Sequence, residues 1–416
     1  MVISKLTVAF LIYVLTESIK VDQELLVVVI ATNQNTSFGS RVAERFLRKF
    51  YNISDLIKIE YRYDDGNPGL AVKHIVDILK DNRRILSVIG SSKSAASMAL
   101  GQILKHYSIP QLSPLSASPL LSNKDEYPYF LRMTNSAFER NFVRIKLLNF
   151  FGWRRVFVIT EGIEYFYGIY KHFYDIAEQN NVSVIENFIV HKAEDLDSIL
   201  MSLLKRDARI VLIFSYSSIA RDFLCTSYRH GFYGERFQII LPSSVGTTFV
   251  SKDFPTINCL QDEAGLVLEG SLREIASDVS SDLSVNIYNS INNITNVIDF
   301  MYGKDVPSSG LRSDGSSFDA MMITVLIINE MIQENLTMVL YDNQEILGSI
   351  LLNNLLHANF EGVLGPIEFD AKGNFKRQVF IQEFSKNFSF NPKSIGFFNP
   401  STENIVLGST GAGYIV

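Results

Sequence analysis

Along most of the chain, short unbroken apolar runs alternate with stretches whose apolar positions recur every three or four residues. Leu25–Ala31 is apolar throughout and predicts a buried strand. Residues 39–50 place Val42, Phe46, Leu47 and Phe50 on one helical face. A second strand is predicted over 56–63, followed by the turn Asp65-Gly66-Asn67-Pro68-Gly69 and a helix over 70–80. Strand 85–89, helix 94–106 and a strand over 110–113 complete the first series. Continuous apolar strands separated by helices imply a parallel sheet covered on both faces.

The pattern then restarts. Helices are predicted over 140–151, 165–180, 196–205 and 218–230, with strands over 155–160, 182–188, 210–215 and 237–241 between them. Two long late helices, 313–335 and 346–360, precede short strands at 365–369, 378–384 and 394–398, with Ala371-Lys372-Gly373-Asn374 closing a hairpin. The stretch 277–309 is rich in Ser, Asn and Asp and reads as a surface segment. A chain of 416 residues exceeds what one core supports, so two α/β domains are expected.

The N-terminus breaks this pattern. Lys5 precedes an apolar run over 6–15, and Thr16-Glu17-Ser18 follows, so residues 1–18 read as a secretory signal. That run is too short to span a bilayer. Of the later stretches 324–331 comes closest to a span, but Asn329 and Glu330 interrupt it. Export makes the six Asn-x-Ser/Thr sites, at Asn35, Asn52, Asn181, Asn293, Asn335 and Asn387, usable for glycosylation. The two cysteines, Cys225 and Cys259, fit either one disulfide or two buried thiols. A net charge of −6 with pI near 5.6 argues against a nucleic-acid partner, which needs excess Lys and Arg.

Ligands of open parallel sheets sit at the carboxyl ends of the strands. At one such end, Gly90-Ser91-Ser92-Lys93-Ser94 offers hydroxyls and the start of a helix, which favour an anion. The same segment also fits simple helix capping by Ser92 or Ser94. The next strand end, Leu112-Ser113-Pro114-Leu115-Ser116-Ala117-Ser118, repeats the hydroxyl chemistry and points to a carboxylate ligand. An enzyme has little support. The histidines at 74, 106, 172, 191, 230 and 357 occur in no metal-protease context, and no Walker loop, nucleophile elbow or dinucleotide fingerprint appears. No cofactor or metal is expected.

Several stretches in order carry a family resemblance. They are Tyr127-Pro128-Tyr129-Phe130-Leu131-Arg132, Phe151-Gly152-Trp153-Arg154-Arg155, Asp207-Ala208-Arg209-Ile210-Val211 with Tyr216, Ala220-Arg221 and Cys225, then Asn258-Cys259, and Phe360-Glu361-Gly362-Val363-Leu364-Gly365-Pro366. Over residues 22–405 the chain resembles the extracellular ligand-binding domain of class C G-protein-coupled receptors, GABA-B receptor type, which has the periplasmic binding protein type I fold. The resemblance implies two Rossmann-like lobes joined by three crossings, a Venus-flytrap, near 133–136, 269–272 and 361–366. Lobe 1 is then 22–134 plus 271–362, lobe 2 is 135–270 plus 363–405, and 406–416 is a tail. It also implies a lobe-2 disulfide between Cys225 and Cys259.

By the same resemblance, Ser92, Ser116 and Ser118 contact a ligand carboxylate, and Tyr216 closes over it from lobe 2. Ala117 stands where agonist-binding subunits have a contacting serine. Phe38 stands where they have a lobe-1 tryptophan. Their carboxylate for the ligand amine falls at Ser313, with Asp314 beside it. The implied role is a receptor domain that binds a small amino-acid-like ligand and signals by lobe closure. It would dimerise with itself or a related subunit through lobe 1, at the outer face of the plasma membrane or after secretion, with membrane attachment only through a further C-terminal region. A non-binding partner subunit and a freestanding solute-binding protein are the alternatives.

Overall fold

The structure, a computed structural model, describes residues 24–242, 245, 259–276, 311–334, 336, 343–376, 379–385, 393–399 and 404–407. The expected signal at 1–18, the segment 277–309 and the end of the expected tail at 408–416 lie outside the described residues. The first sheet contains β1 (Leu25–Ala31), β2 (Ile57–Tyr63), β3 (Arg84–Gly90), β4 (Gln111–Ser113) and β5 (Phe130–Arg132), in the order β2-β1-β3-β4-β5. All its pairings are parallel. The period of two along β1 explains why it is apolar throughout. Leu25, Val27 and Val29 enter one core, and Leu26, Val28 and Ile30 enter the other.

Helices α1 (Phe38–Phe50), α2 (Pro68–Lys80) and α3 (Ser94–Leu104) connect these strands. The second of them starts where its sequence allows. Pro68 occupies the first turn, and the Asn67 side chain accepts the Leu70 N–H at 3.1 Å.

The second sheet holds β6 (Arg155–Glu161), β7 (Ser183–Val190), β8 (Ile210–Phe214), β9 (Gln238–Leu241) and β10 (Leu272–Ala276). Its connecting helices are α4 (Ala137–Phe150), α5 (Glu164–Gln179), α6 (Asp195–Lys205), α7 (Ser217–Arg229) and α8 (Gln261–Leu268). Here too the faces divide by alternation: Phe157 and Ile159 pack one way, Val156 and Val158 the other.

The chain returns to the first core with α9 (Leu311–Gln333) and α10 (Gln344–Leu356). By length and composition, Gly315–Gln333 is apolar enough to cross a membrane, contrary to the sequence reading, and 89% of that stretch is buried in the protein. Its apolar residues cover the full circumference because the helix is enclosed, with Phe318, Met321, Met322 and Val325 all inaccessible. A hairpin of β11 (Phe360–Gly362) and β12 (Gly365–Ile367) follows, then β13 (Val379–Glu383), β14 (Lys393–Asn399) and β15 (Asn404–Leu407). These last three extend the second sheet, giving the order β15-β14-β13-β10-β9-β8-β6-β7.

Several expectations shift. The helix predicted to 360 stops at Leu356, and Phe360 opens a strand. The buried Asp319 carboxylate holds the hairpin by accepting the Val363 and Leu364 N–H groups at 2.9 and 3.0 Å. Met133 packs in the first core and Ala137 in the second. The second and third crossings come later than 270 and 362. Strand β10 pairs with β9 and β13 in the second sheet, and Val363, Leu364, Ile367, Phe369 and Phe375 pack in the first core. The tail begins later as well, because β15 pairs with β14 through Leu407.

Cys225 and Cys259 form a disulfide across 34 residues, tying α7 to the approach to α8. Closing a loop of that length restricts the unfolded chain by about 3–4 kcal/mol. Replacing both cysteines with alanine is expected to lower stability by about that amount in urea unfolding. An unchanged midpoint would show that the bridge contributes nothing.

Candidate functional site

The carboxyl ends of β3 and β4 form a hydroxyl lattice. Gly90 has φ +127°, and a Cβ there would lie 1.9 Å from the Ile30 carbonyl oxygen, so only glycine lets β3 end this close to β1. The next residue, Ser91, is fully buried and donates to the buried Asp64 carboxylate at 2.6 Å. Its carbonyl faces three hydroxyls: Ser113 at 2.6 Å, Ser97 at 2.9 Å and Ser116 at 3.0 Å. A carbonyl has two lone pairs. Ser97 and Ser116 are also 2.9 Å apart, so one of them donates to the other.

This geometry corrects the reading of Ser116. Its side chain is inaccessible, and its hydroxyl is used inside the lattice rather than offered to a ligand. Ser92 is different: it is half-buried, and its side chain has no hydrogen-bond partner among the described residues. Ser94 Oγ accepts the Ser118 N–H at 3.1 Å, which brings the two strand-end loops together beside the start of α3. Phe38 is half-buried at the start of α1 and packs on the first core. Asp314 lies in the first turn of α9, and its side chain is outside the described residues.

Behind these loops sits Arg132, the largest fully buried side chain among the described residues. Its Nε donates to Asn374 Oδ1 at 2.7 Å. One terminal nitrogen donates to the carbonyls of Ser118 at 2.7 Å and Ser116 at 3.3 Å, and the other to the Ser122 hydroxyl. Burial lowers its pKa to about 10, still well above neutral pH. The Asn374 amide in turn donates to Asp370 at 2.8 Å. In the same turn Gly373 has φ +69°, and a Cβ there would come within 2.7 Å of the Phe130 carbonyl. Lys124 Nζ donates to that carbonyl. Burial lowers the Lys124 pKa to about 8, against an opposing pull from Asp370.

The two lobes touch where the Ala137 N–H donates to the Ala117 carbonyl at 2.9 Å. From there the second lobe presents the carboxyl ends of β6, β8 and β9. Tyr216, which follows β8, is 52% exposed. Its N–H donates to Glu161 Oε2 at 2.7 Å, and its ring meets Phe166 edge-on at 4.9 Å. Burial, then Tyr165 and Glu161, raise its phenol pKa, so it is a neutral donor at physiological pH. Tyr216 lines a concavity of about 100 Å³ together with Ala137, Arg140, Arg144, Tyr165 and Ser215. Arg144 is itself buried, pairs with the buried Glu274 and lies 4.7 Å over the Phe214 ring. Ser92 and the buried Ser118 thus lie in loops at the end of the first sheet and Tyr216 at the end of the second, while the Ala117–Ala137 contact joins the two lobes.

A family model described as the receptor family ligand binding region matches residues 46–385. The chain belongs to that family. Its expected α/β fold of periplasmic-binding-protein-like type I is thereby established, and the family is one of receptor ligand-binding regions, not of enzymes. Gamma-aminobutyric acid type B receptor subunit 1 of Mus musculus is 23% identical over 363 residues, covering 85% of this chain and 37% of that protein. Subunit 1 of Caenorhabditis elegans is 24% identical over 323 residues, 74% of this chain and 34% of that protein. Subunit 2 of Homo sapiens is 23% identical over 323 residues, 73% and 33%. This receptor-family domain thus spans about a third of the length of the curated relatives it matches.

Sequence reasoning missed Asp64, Ser97, Arg132 and Arg144 as parts of the site. For Arg132 a signal existed: an arginine directly after the apolar Phe130-Leu131 pair is costly unless its charge is fully bonded. Arg132→Met would remove a buried donor from four oxygen acceptors, and a loss of about 3 kcal/mol or more in urea unfolding is expected. A loss below about 1 kcal/mol would remove Arg132 from this bracing role.

Lys124 adds a pH dependence. Its pKa is about 8 in the fold against an ordinary 10.5, so between those values only the unfolded chain holds the proton. Stability from this group rises as pH goes from about 8 to 10.5, and below about 8 the cost of the buried charge is fully present. Wild type is expected to gain melting temperature relative to Lys124→Gln across that interval. A constant difference would contradict the assignment.

Proposed function

We propose that this domain is the extracellular ligand-binding module of a GABA-B-like class C receptor, and that its lobes close on a small amino-acid-like carboxylate. Two observations support this: Ser92 at the end of β3 is half-buried with no hydrogen-bond partner among the described residues, and Tyr216 at the end of β8 is half-exposed. A carboxylate between them accepts from Ser92 and from the loop holding Ser118, while Tyr216 supplies a neutral donor and a ring from the opposite lobe. Arg132 and the hydroxyl lattice keep the first-lobe loops in place before the ligand arrives, so binding orders few groups. Closure is a hinge movement about the crossings. The disulfide fits an oxidising, extracellular setting.

Assembly with a second, related subunit is part of the same reading, because relatives of two subunit types, 1 and 2, match. A second reading, a subunit that dimerises without binding ligand, draws on Ala117. It is a methyl group where agonist-binding subunits have a hydroxyl, and its carbonyl is already used by Ala137.

Calorimetry with amino acids separates the two. Ser92→Ala and Tyr216→Ala are each expected to weaken carboxylate binding about tenfold, the loss of one hydrogen bond of ~1.4 kcal/mol. Equal affinity in both variants refutes the proposed cleft. Absence of binding to any amino acid by the wild type favours the non-binding subunit.

A further inference from the structure

One long sheet edge lacks the protection that the other edges have. Strand β7 ends the second sheet, and among the described residues it pairs only with β6. Its other side offers a row of backbone N–H and C=O groups to any strand that approaches. The stretch Ser183–Val190 contains no proline, lysine or glycine. Its one charged residue, Glu186, is held by Arg206 at 2.9 Å. Ile185 and Ile189 fall on one face of the strand and are 38% and 46% exposed. An apolar, β-prone edge of eight residues with its single charge already paired is the kind that joins a copy of itself.

The remaining edges are defended. Strand β2, seven residues long at the edge of the first sheet, exposes Lys58 and Arg62. The opposite edges, β5 and β15, have only three and four residues. What β7 has instead is a neighbour. Three of the six Asn-x-Ser/Thr sites, at Asn35, Asn52 and Asn181, lie among the described residues, and each asparagine is exposed. Asn181 holds the turn from α5 into β7 with φ +57°, and the hydroxyl residue of its site, Ser183, is the first of β7. Ser183 is exposed as well, so the whole site stands open at the root of the undefended edge.

We infer that Asn181 carries an N-linked glycan, and that this glycan keeps the β7 edge from pairing with a second copy of the chain. This rests on the extracellular reading, because the sugar is added in the secretory pathway. In that step the Asn181 amide nitrogen bonds the anomeric carbon of a lipid-linked oligosaccharide diphosphate. The bond from that carbon to the diphosphate oxygen breaks, the lipid diphosphate departs, and the amide gives up one proton. Two β7 strands related by a twofold axis would pair antiparallel, so each copy's Asn181 would lie beside the far end of the other's strand. A bulky, solvated oligosaccharide at both ends leaves such a pair no room to close. The glycan does at β7 what Lys58 and Arg62 do at β2.

The test expresses the whole chain in secretory animal cells and maps its glycopeptides by mass spectrometry, with a glycan expected at Asn181. Trimming the folded protein's glycans to a single sugar with an endoglycosidase is expected to about double the mean particle mass in light scattering, as copies join along β7. Asn181→Gln and Ser183→Ala are expected to do the same and Asn52→Gln to leave the mass unchanged. Adding Ile185→Lys to Asn181→Gln is expected to restore the wild-type mass. A secreted chain with glycans elsewhere and an unmodified Asn181 overturns the inference alone. So does trimmed protein whose particle mass does not rise, or an association that Ile185→Lys leaves in place. A chain with no glycan at any site has not entered the secretory pathway, so the extracellular reading fails and the inference falls with it.

Discussion

The buried guanidinium of Arg132 is the interaction on which the rest of the site depends. It lies at the end of β5, just before the chain leaves the first lobe. Its donors reach the carbonyls of Ser116 and Ser118, the Ser122 hydroxyl and the Asn374 side chain. One cation thus joins the loop after β4 to the Asp370–Asn374 turn, which arrives from 242 residues further along the chain. A charge this enclosed is stable only with nearly all its donors bonded, so the loops around it have little freedom to rearrange. That rigidity allows short hydroxyl side chains to serve as a preorganised surface.

Most of the hydroxyls near the strand ends have a structural task. Ser91, Ser97, Ser113 and Ser116 satisfy one another and a single carbonyl, with Asp64 accepting the last proton. The lattice replaces the water that polar loop groups would otherwise need, and it keeps the end of β3 closed. Ser92 alone of the expected contact serines is half-buried, while Ser118 is buried like Ser116. The second lobe is arranged differently. Its sheet end carries rings and arginines, with Arg144 anchored by Glu274 and stacked on Phe214. One half offers hydroxyls and the other rings, apolar side chains and paired arginines, so the two halves impose different demands on whatever lies between them.

The same division explains which expectations changed. The strands and helices of both lobes follow from apolar period and turn residues, and those elements stand within a few residues of their predicted bounds. The lobe crossings after 270 and after 362 moved, because β10 and the β11–β12 hairpin choose their lobe by pairing and by the Asp319 carboxylate. The sequence of α9 meets the composition of a membrane span, yet it is a core helix. Composition records apolarity and cannot tell lipid from a protein interior.

By itself the sequence determined the α/β class, which follows from local periodicity, and the pairing of Cys225 with Cys259, which follows from a resemblance spread over the whole chain. Only the tertiary structure decided which serine faces outward. Ser92 and Ser116 are alike in type and in position after a strand. One is left open and the other is consumed by Ser91 and Ser97. Whether a hydroxyl is available to a ligand depends on which neighbours already hold its proton, and those neighbours come together only when distant segments pack.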